Sequence, residues 1–186
     1  MNGIGPVLES PRLILRPPAA EDFEGFKTFH ADARVMTYLG GPSGPAIAWR
    51  SMRYMAGLWQ MDGFAMFSII EKASGQWIGR GGPIRPYDWP GVEVGWGLLP
   101  DWWGKGLALE ATAMATEFAF TQLGLDAVVH TIDPRNDESA RLATRLGSRR
   151  EGPVKLPEPY VDTTVDLWRQ TAEEWRVNRT RFDFIL

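Results

Sequence analysis

The sequence predicts an α/β domain built on a single mixed sheet, mostly antiparallel, and three observations carry that expectation. Strand-like runs at 64–71, 76–85 and 92–99 follow one another through short turn-rich links, the pattern of an antiparallel meander. The last run leads through a glycine-rich segment into a long one-faced helix and then another apolar run, as a crossover between parallel strands requires. Helical periodicity also precedes the meander and follows the crossover, so both repeats recur along one chain.

In order, Arg12-Leu13-Ile14-Leu15-Arg16 is an apolar run closed by Pro17-Pro18, residues that cannot continue a strand ladder. Segments 21–33 and 46–61 place Phe23, Phe26 and His30, then Met52, Met55 and Trp59, at helical spacing, with a Gly/Pro-rich turn at 40–45 between them. The meander turns at Ser74-Gly75 and at Asp88-Trp89-Pro90-Gly91. Leu107, Ala111, Met114 and Phe118 then mark one face of a helix over 104–123 that stops before Gly124. A strand at 127–132, a helix at 136–146 closed by Gly147, strands near 149–156 and 161–170, and a helical segment around Trp175 complete the chain. The order is β-α-α-β-β-β-α-β-α-β-β, with the fourth and fifth strands parallel because a helix joins them.

The 186 residues fit one domain over 1–186, since domains commonly run roughly 100–200 residues and no linker divides the chain. Hydrophobic residues make up 44% and charged residues 23%, a globular composition. The net charge of −3 gives no general attraction to phosphate backbones, so nucleic acid is not an expected partner, the run Arg141, Arg145, Arg149 and Arg150 notwithstanding. No cysteine is present, which excludes disulfides, thiolate metal sites and a thiol nucleophile, and His30 and His130 lack the carboxylate spacing of a metal site. No metal is expected. Nor does any stretch have the length and apolarity of a membrane span or signal peptide, so a cytoplasmic protein with no membrane partner is expected.

Trp103-Gly104-Lys105-Gly106-Leu107-Ala108 lies between a strand and an amphipathic helix. There, unpaired N–H groups and the helix dipole suit a diphosphate, and glycines allow close approach. A tight turn alone would also use such glycines, and the segment is not an ATP-type loop, because Gly-Lys is not followed by Ser or Thr. The wider segment 99–111, the segment Asn136 to Gly147 and the opening Leu8 to Arg16 together resemble GNAT acetyltransferases, in the form found in the RimJ/RimL-like branch. The resemblance implies the GNAT-type acyl-CoA N-acyltransferase fold and acetyl-CoA as cosubstrate, with an amine acceptor that is a small molecule or a protein N-terminus. It also implies cofactor contacts from Trp103, Gly104, Lys105, Gly106, Leu107, Ala108 and Asn136. Similar proteins are monomers or homodimers. One departure is Ala143, where many members carry a tyrosine that protonates the departing thiolate.

Acetyl transfer to an amine needs a proton acceptor, a held thioester carbonyl and a proton for the thiolate. Strand alternation puts Glu93, Gly95 and Gly97 on one face, and Glu93 is the candidate base overlooking a groove without side chains; a rim carboxylate is the bland alternative. By the resemblance, Leu98 or Leu99 supplies a backbone N–H to the thioester oxygen, and Ser139 is the candidate proton donor. Asn136 also suits a helix N-cap, and Arg141 and Arg145 suit either a solvated face or cofactor phosphates. Trp59, Trp89 and Trp96 are candidates for the acceptor pocket or the core, and Glu158, Asp162 and Asp166 for attraction of a cationic acceptor.

Overall fold

Eight strands form the centre of the computed structural model, which describes residues 4–185. They are β1 (Leu8–Glu9), β2 (Leu13–Arg16), β3 (Phe67–Glu71), β4 (Trp77–Ile84), β5 (Glu93–Leu98), β6 (Ala127–Ile132), β7 (Arg149–Val154) and β8 (Val165–Thr171), in sheet order β1-β2-β3-β4-β5-β6-β8-β7. Every neighbouring pair is antiparallel except β5 and β6. This is the parallel pair expected between the fourth and fifth strands; the short β1, too brief to carry a period, shifts the count by one.

The helices are α1 (Phe23–Ala31), α2 (Ala33–Met36), α3 (Pro45–Met61), α4 (Leu107–Thr121), α5 (Asp137–Leu146) and α6 (Ala172–Asn178). The helix expected over 21–33 is α1, and a short α2 that the sequence did not show follows it. Asp32 ends α1 with an extended backbone, and its carboxylate accepts the N–H groups of Arg34 and Val35 to start α2. Along α4 the expected stripe of Leu107, Ala111, Met114 and Phe118 is buried against Leu15, Phe67, Ile78, Val94 and Leu98. Phe29 of α1 covers the opposite face of β5 at Gly97. Removing this apolar area from water, at roughly 25 cal/mol per Å², is what clamps β5 between two helical layers. The last hairpin reverses the chain order, since β8 lies between β6 and β7 and closes at Thr171, whose hydroxyl caps α6 with Glu174.

Candidate active site

β5 is zipped along one edge and open along the other. Its register with β4 runs without a bulge from Glu93↔Ile84 to Leu98↔Gly79, whereas β6 meets it only at Glu93↔Val129. Leu99 N–H donates to Ile78 O at 2.8 Å, so in the alternating ladder the odd-numbered residues face β4 and Val94, Trp96 and Leu98 turn their N–H and C=O toward β6. Past the Glu93↔Val129 bridge β6 offers Trp96 and Leu98 no register partner among the described residues. A side chain fills the first gap: His130 of β6 holds Val94 O at 2.7 Å through Nδ1 and Ser148 Oγ at 2.9 Å through Nε2. A carbonyl accepts only, so Nδ1 carries the proton and Ser148 donates to Nε2. Burial pushes the His130 pKa down to about 4, and the ring is a neutral wedge between the strands. The N–H of Leu98 is thereby left facing the opening, and that of Leu99 is spent on β4.

The opening leads into a cleft of about 930 Å³. Its lining includes Glu93, Trp96, Leu98, Trp103, Gly104, Gly106, Leu107, Ala108, Asn136 and Ser139, which brings the predicted cofactor and catalytic residues to one place, Lys105 and Leu99 excepted. The helix expected from Gly104 begins instead at Leu107, because Gly104 and Gly106 hold φ of +70° and +77°. A left-handed backbone there costs other residues roughly 1–2 kcal/mol, which accounts for both glycines. Apart from its chain neighbours, no heavy atom lies within 4 Å of where a Gly104 Cβ would sit, which leaves open space beside the loop. Trp103 Nε1 donates to Leu98 O at 2.8 Å and pins the loop to the end of β5. Arg12 Nη1 donates to Lys105 O at 2.9 Å, while its guanidinium pairs with the buried Glu110. That brace from the first hairpin has no local sequence signal, since its partners lie 93 and 98 residues away.

Glu93 Oε2 accepts from Trp89 Nε1 at 2.6 Å and from the Thr131 hydroxyl at 2.7 Å. Its other oxygen has no side-chain partner among the described residues, and burial pushes its carboxyl up from the ordinary carboxylate range against those two donors, the backbone N–H of Thr131 and the more distant Arg80. The empty groove expected beside it is instead filled: a Cβ on Gly95 would lie 2.6 Å from Met66 Cε, and one on Gly97 2.7 Å from Phe29 Cζ. Glycine in this strand admits the protein's own side chains.

Asn136 accepts Ser139 N–H at 3.1 Å as the N-cap of α5, and Ser139 keeps its hydroxyl at the cleft. Ala143 is fully buried, so no proton donor comes from that position. Arg141 and Arg145 reach the cleft rim, while Arg149 and Arg150 pair with Glu174 and Asp166, which breaks up the basic run. Of the three tryptophans, Trp59 is core, Trp89 orients Glu93 and Trp96 lines the cleft. Thr131 and the His130 wedge were not legible as site residues, because a strand threonine and histidine beside apolar neighbours look like ordinary packing. Among the described residues no group of three His, Cys, Asp or Glu side chains suits a metal ion, and no helix is long and apolar enough to cross a membrane.

Comparison with known proteins shows the family and the fold. Residues 12–149 match the acetyltransferase (GNAT) domain family. A Bacillus licheniformis protein named as the uncharacterized N-acetyltransferase p20 is 29% identical, over 87% of this chain and 92% of its own length. The crystal structure of an acetyltransferase from Agrobacterium tumefaciens str. C58 superposes with a TM-score of 0.78 at 30% identity, covering 89% of this chain and 94% of that one. A ribosomal-protein-S5-alanine acetyltransferase from Vibrio fischeri, 19% identical with a TM-score of 0.71 over 91% of this chain and 98% of that one, shares the fold. The chain belongs to the GNAT acetyltransferase family and is an N-acetyltransferase, an enzyme of acyl transfer.

Proposed function

We propose that the chain, acting as one domain, transfers the acetyl group of acetyl-CoA to a primary amine by direct attack in a ternary complex. The observation that carries this reading is the single cleft in which the unpartnered backbone of β5, the glycine loop and the carboxylate of Glu93 meet. The residues fit the cosubstrate: the amides of 104–108 suit its diphosphate, and the split between β5 and β6 suits an extended pantetheine arm. Bound there, acetyl-CoA supplies an activated acyl group. Leu98 N–H is the donor to its carbonyl oxygen, Asn136 contacts the cofactor, and Ser139 protonates the leaving thiolate. Glu93 takes the proton of the incoming ammonium, a task favoured by a pKa displaced toward neutrality.

The acceptor is a small-molecule amine or a protein α-amine. Placement in the RimJ/RimL-like branch, which favours the latter, rests on the residues at 99–111 and 136–147. A cytoplasmic monomer or homodimer without nucleic-acid, membrane or metal partners completes the reading. A second reading, an acetyl-CoA-binding module without turnover, is favoured by the burial of Ala143. Calorimetry with acetyl-CoA and thiol release across amine and peptide panels decides between them. Binding with turnover supports the transferase, binding without turnover the module, and no binding removes both. A covalent acetyl-protein in single-turnover mass spectrometry would contradict direct attack.

A further inference from the structure

Arg80 extends from β4, opposite Gly97, into the same cleft as Glu93. Arg12, Arg16, Arg150 and Arg179 each hold a carboxylate, but Arg80 takes part in no ion pair among the described residues. Its Nε is enclosed without any hydrogen-bond partner, its Nη1 has only the thioether of Met66 at 2.9 Å, and its guanidinium carbon lies 5.2 Å over the Phe29 ring. A second enclosed nitrogen, His30 Nε2, is also unpartnered, and after burial it is the Arg80 charge that lowers the His30 pKa. A cation enclosed by a thioether, a phenyl ring and glycine backbone is costly unless something negative joins it. Glu93 is the protein carboxylate whose charge acts on it, yet the two do not pair, and Glu93 spends one oxygen on Trp89 and Thr131. One cleft therefore holds an unpaired cation and a carboxylate with no ion-pair partner.

We infer that the acceptor is an amino carboxylate, whose ammonium faces Glu93 and whose carboxylate is received by Arg80. The inference rests on the acetyl-transfer reading and selects, within it, a zwitterionic small molecule over an unmodified protein N-terminus with no acid nearby. A guanidinium suits a carboxylate because its planar N–H groups match the two oxygens; Nε is enclosed, Nη1 meets Met66, and Nη2, unpartnered and not enclosed, is the donor open to the cleft. A simple alkyl amine would leave that charge buried and bare.

The test uses the coenzyme A-loaded protein and a panel of α- and β-amino acids, each paired with its carboxamide. Binding is read by calorimetry and transfer by thiol release with acetyl-CoA, for the wild type, Arg80→Met and Arg80→Lys. Carboxamides are less basic amines, so each acid-to-amide ratio is compared between proteins. The expected result is at least a tenfold loss of amino acid affinity in Arg80→Met and partial retention in Arg80→Lys, with carboxamide and coenzyme A binding unchanged. The inference is overturned if no amino acid binds the wild type, if acid and amide weaken alike, or if Arg80→Met weakens coenzyme A equally. Arg80-dependent amino acid binding without thiol release would support the inference while removing the transfer reading. A thermal midpoint for each variant confirms that it is folded.

Discussion

Glu93 lines the cleft and Glu110 is buried on α4 outside its lining, and the two differ in how their charge is met. Glu110, on α4, is 3% exposed and receives Ser10 Oγ at 2.6 Å, Arg12 N at 3.3 Å and Arg12 Nε at 2.7 Å, within an ion pair. Glu93, on β5, receives two neutral donors and no cation, and burial raises its pKa. A carboxylate whose charge is met holds two chain segments together. One whose charge is left over is available for a proton. The first braces the glycine loop and the second is the proposed base, so substitutions at the two sites should separate stability from turnover.

The largest effect is expected at Glu93. Glu93→Gln should lower kcat/KM by about 10²–10⁴-fold at neutral pH, with acetyl-CoA affinity retained in calorimetry. In the wild type the rate should rise with pH through a pKa above the ordinary glutamate value, and the variant should lack that limb. The stability change has the opposite sign. A raised folded-state pKa means that the neutral form is favoured by folding, a contribution complete below the unfolded pKa and lost as pH rises through the folded one. Gln should therefore raise the thermal midpoint at neutral pH, and a lowered midpoint would break the comparison.

Next in size, Glu110→Ala should cost about 3 kcal/mol in urea unfolding, because it orphans a buried hydroxyl and a guanidinium together. Its effect on turnover should follow weakened acetyl-CoA binding, with kcat preserved at saturation; a kcat loss comparable to that of Glu93→Gln would erase the distinction. Gly104→Ala should weaken acetyl-CoA by roughly tenfold, the equivalent of the ~1–2 kcal/mol left-handed strain, and unchanged affinity in calorimetry would free the loop from its assigned task. The smallest effect is expected for Thr131→Val, which removes one donor to Glu93. Its acidic pH–rate limb should move to higher pH, with a stability change of about 1 kcal/mol, and a limb moving to lower pH would contradict the role of that hydroxyl.

The succession of elements, the parallel pair and the glycine loop were legible because local signals carry them: turn residues, a helix-length crossover, and positive φ that glycine meets cheaply. The short α2 after Asp32 was missed because four residues carry no readable period and it is started by one capping carboxylate. The glycines of β5 were legible as places of close approach, but what approaches is Met66 and Phe29, supplied by other elements.

By itself, then, the sequence determined where the backbone must bend, which faces are apolar and which segment can offer amides to a diphosphate, since these depend on neighbours within a few residues. Only the tertiary structure decided that Glu93 and Arg80 lie unpaired in one cleft, that Glu110 is neutralised by Arg12, and that His130 stands between two strands. Charge compensation and burial depend on what distant segments bring together, and residues such as Arg12 and Glu110 become neighbours only when the sheet and α4 close around one core.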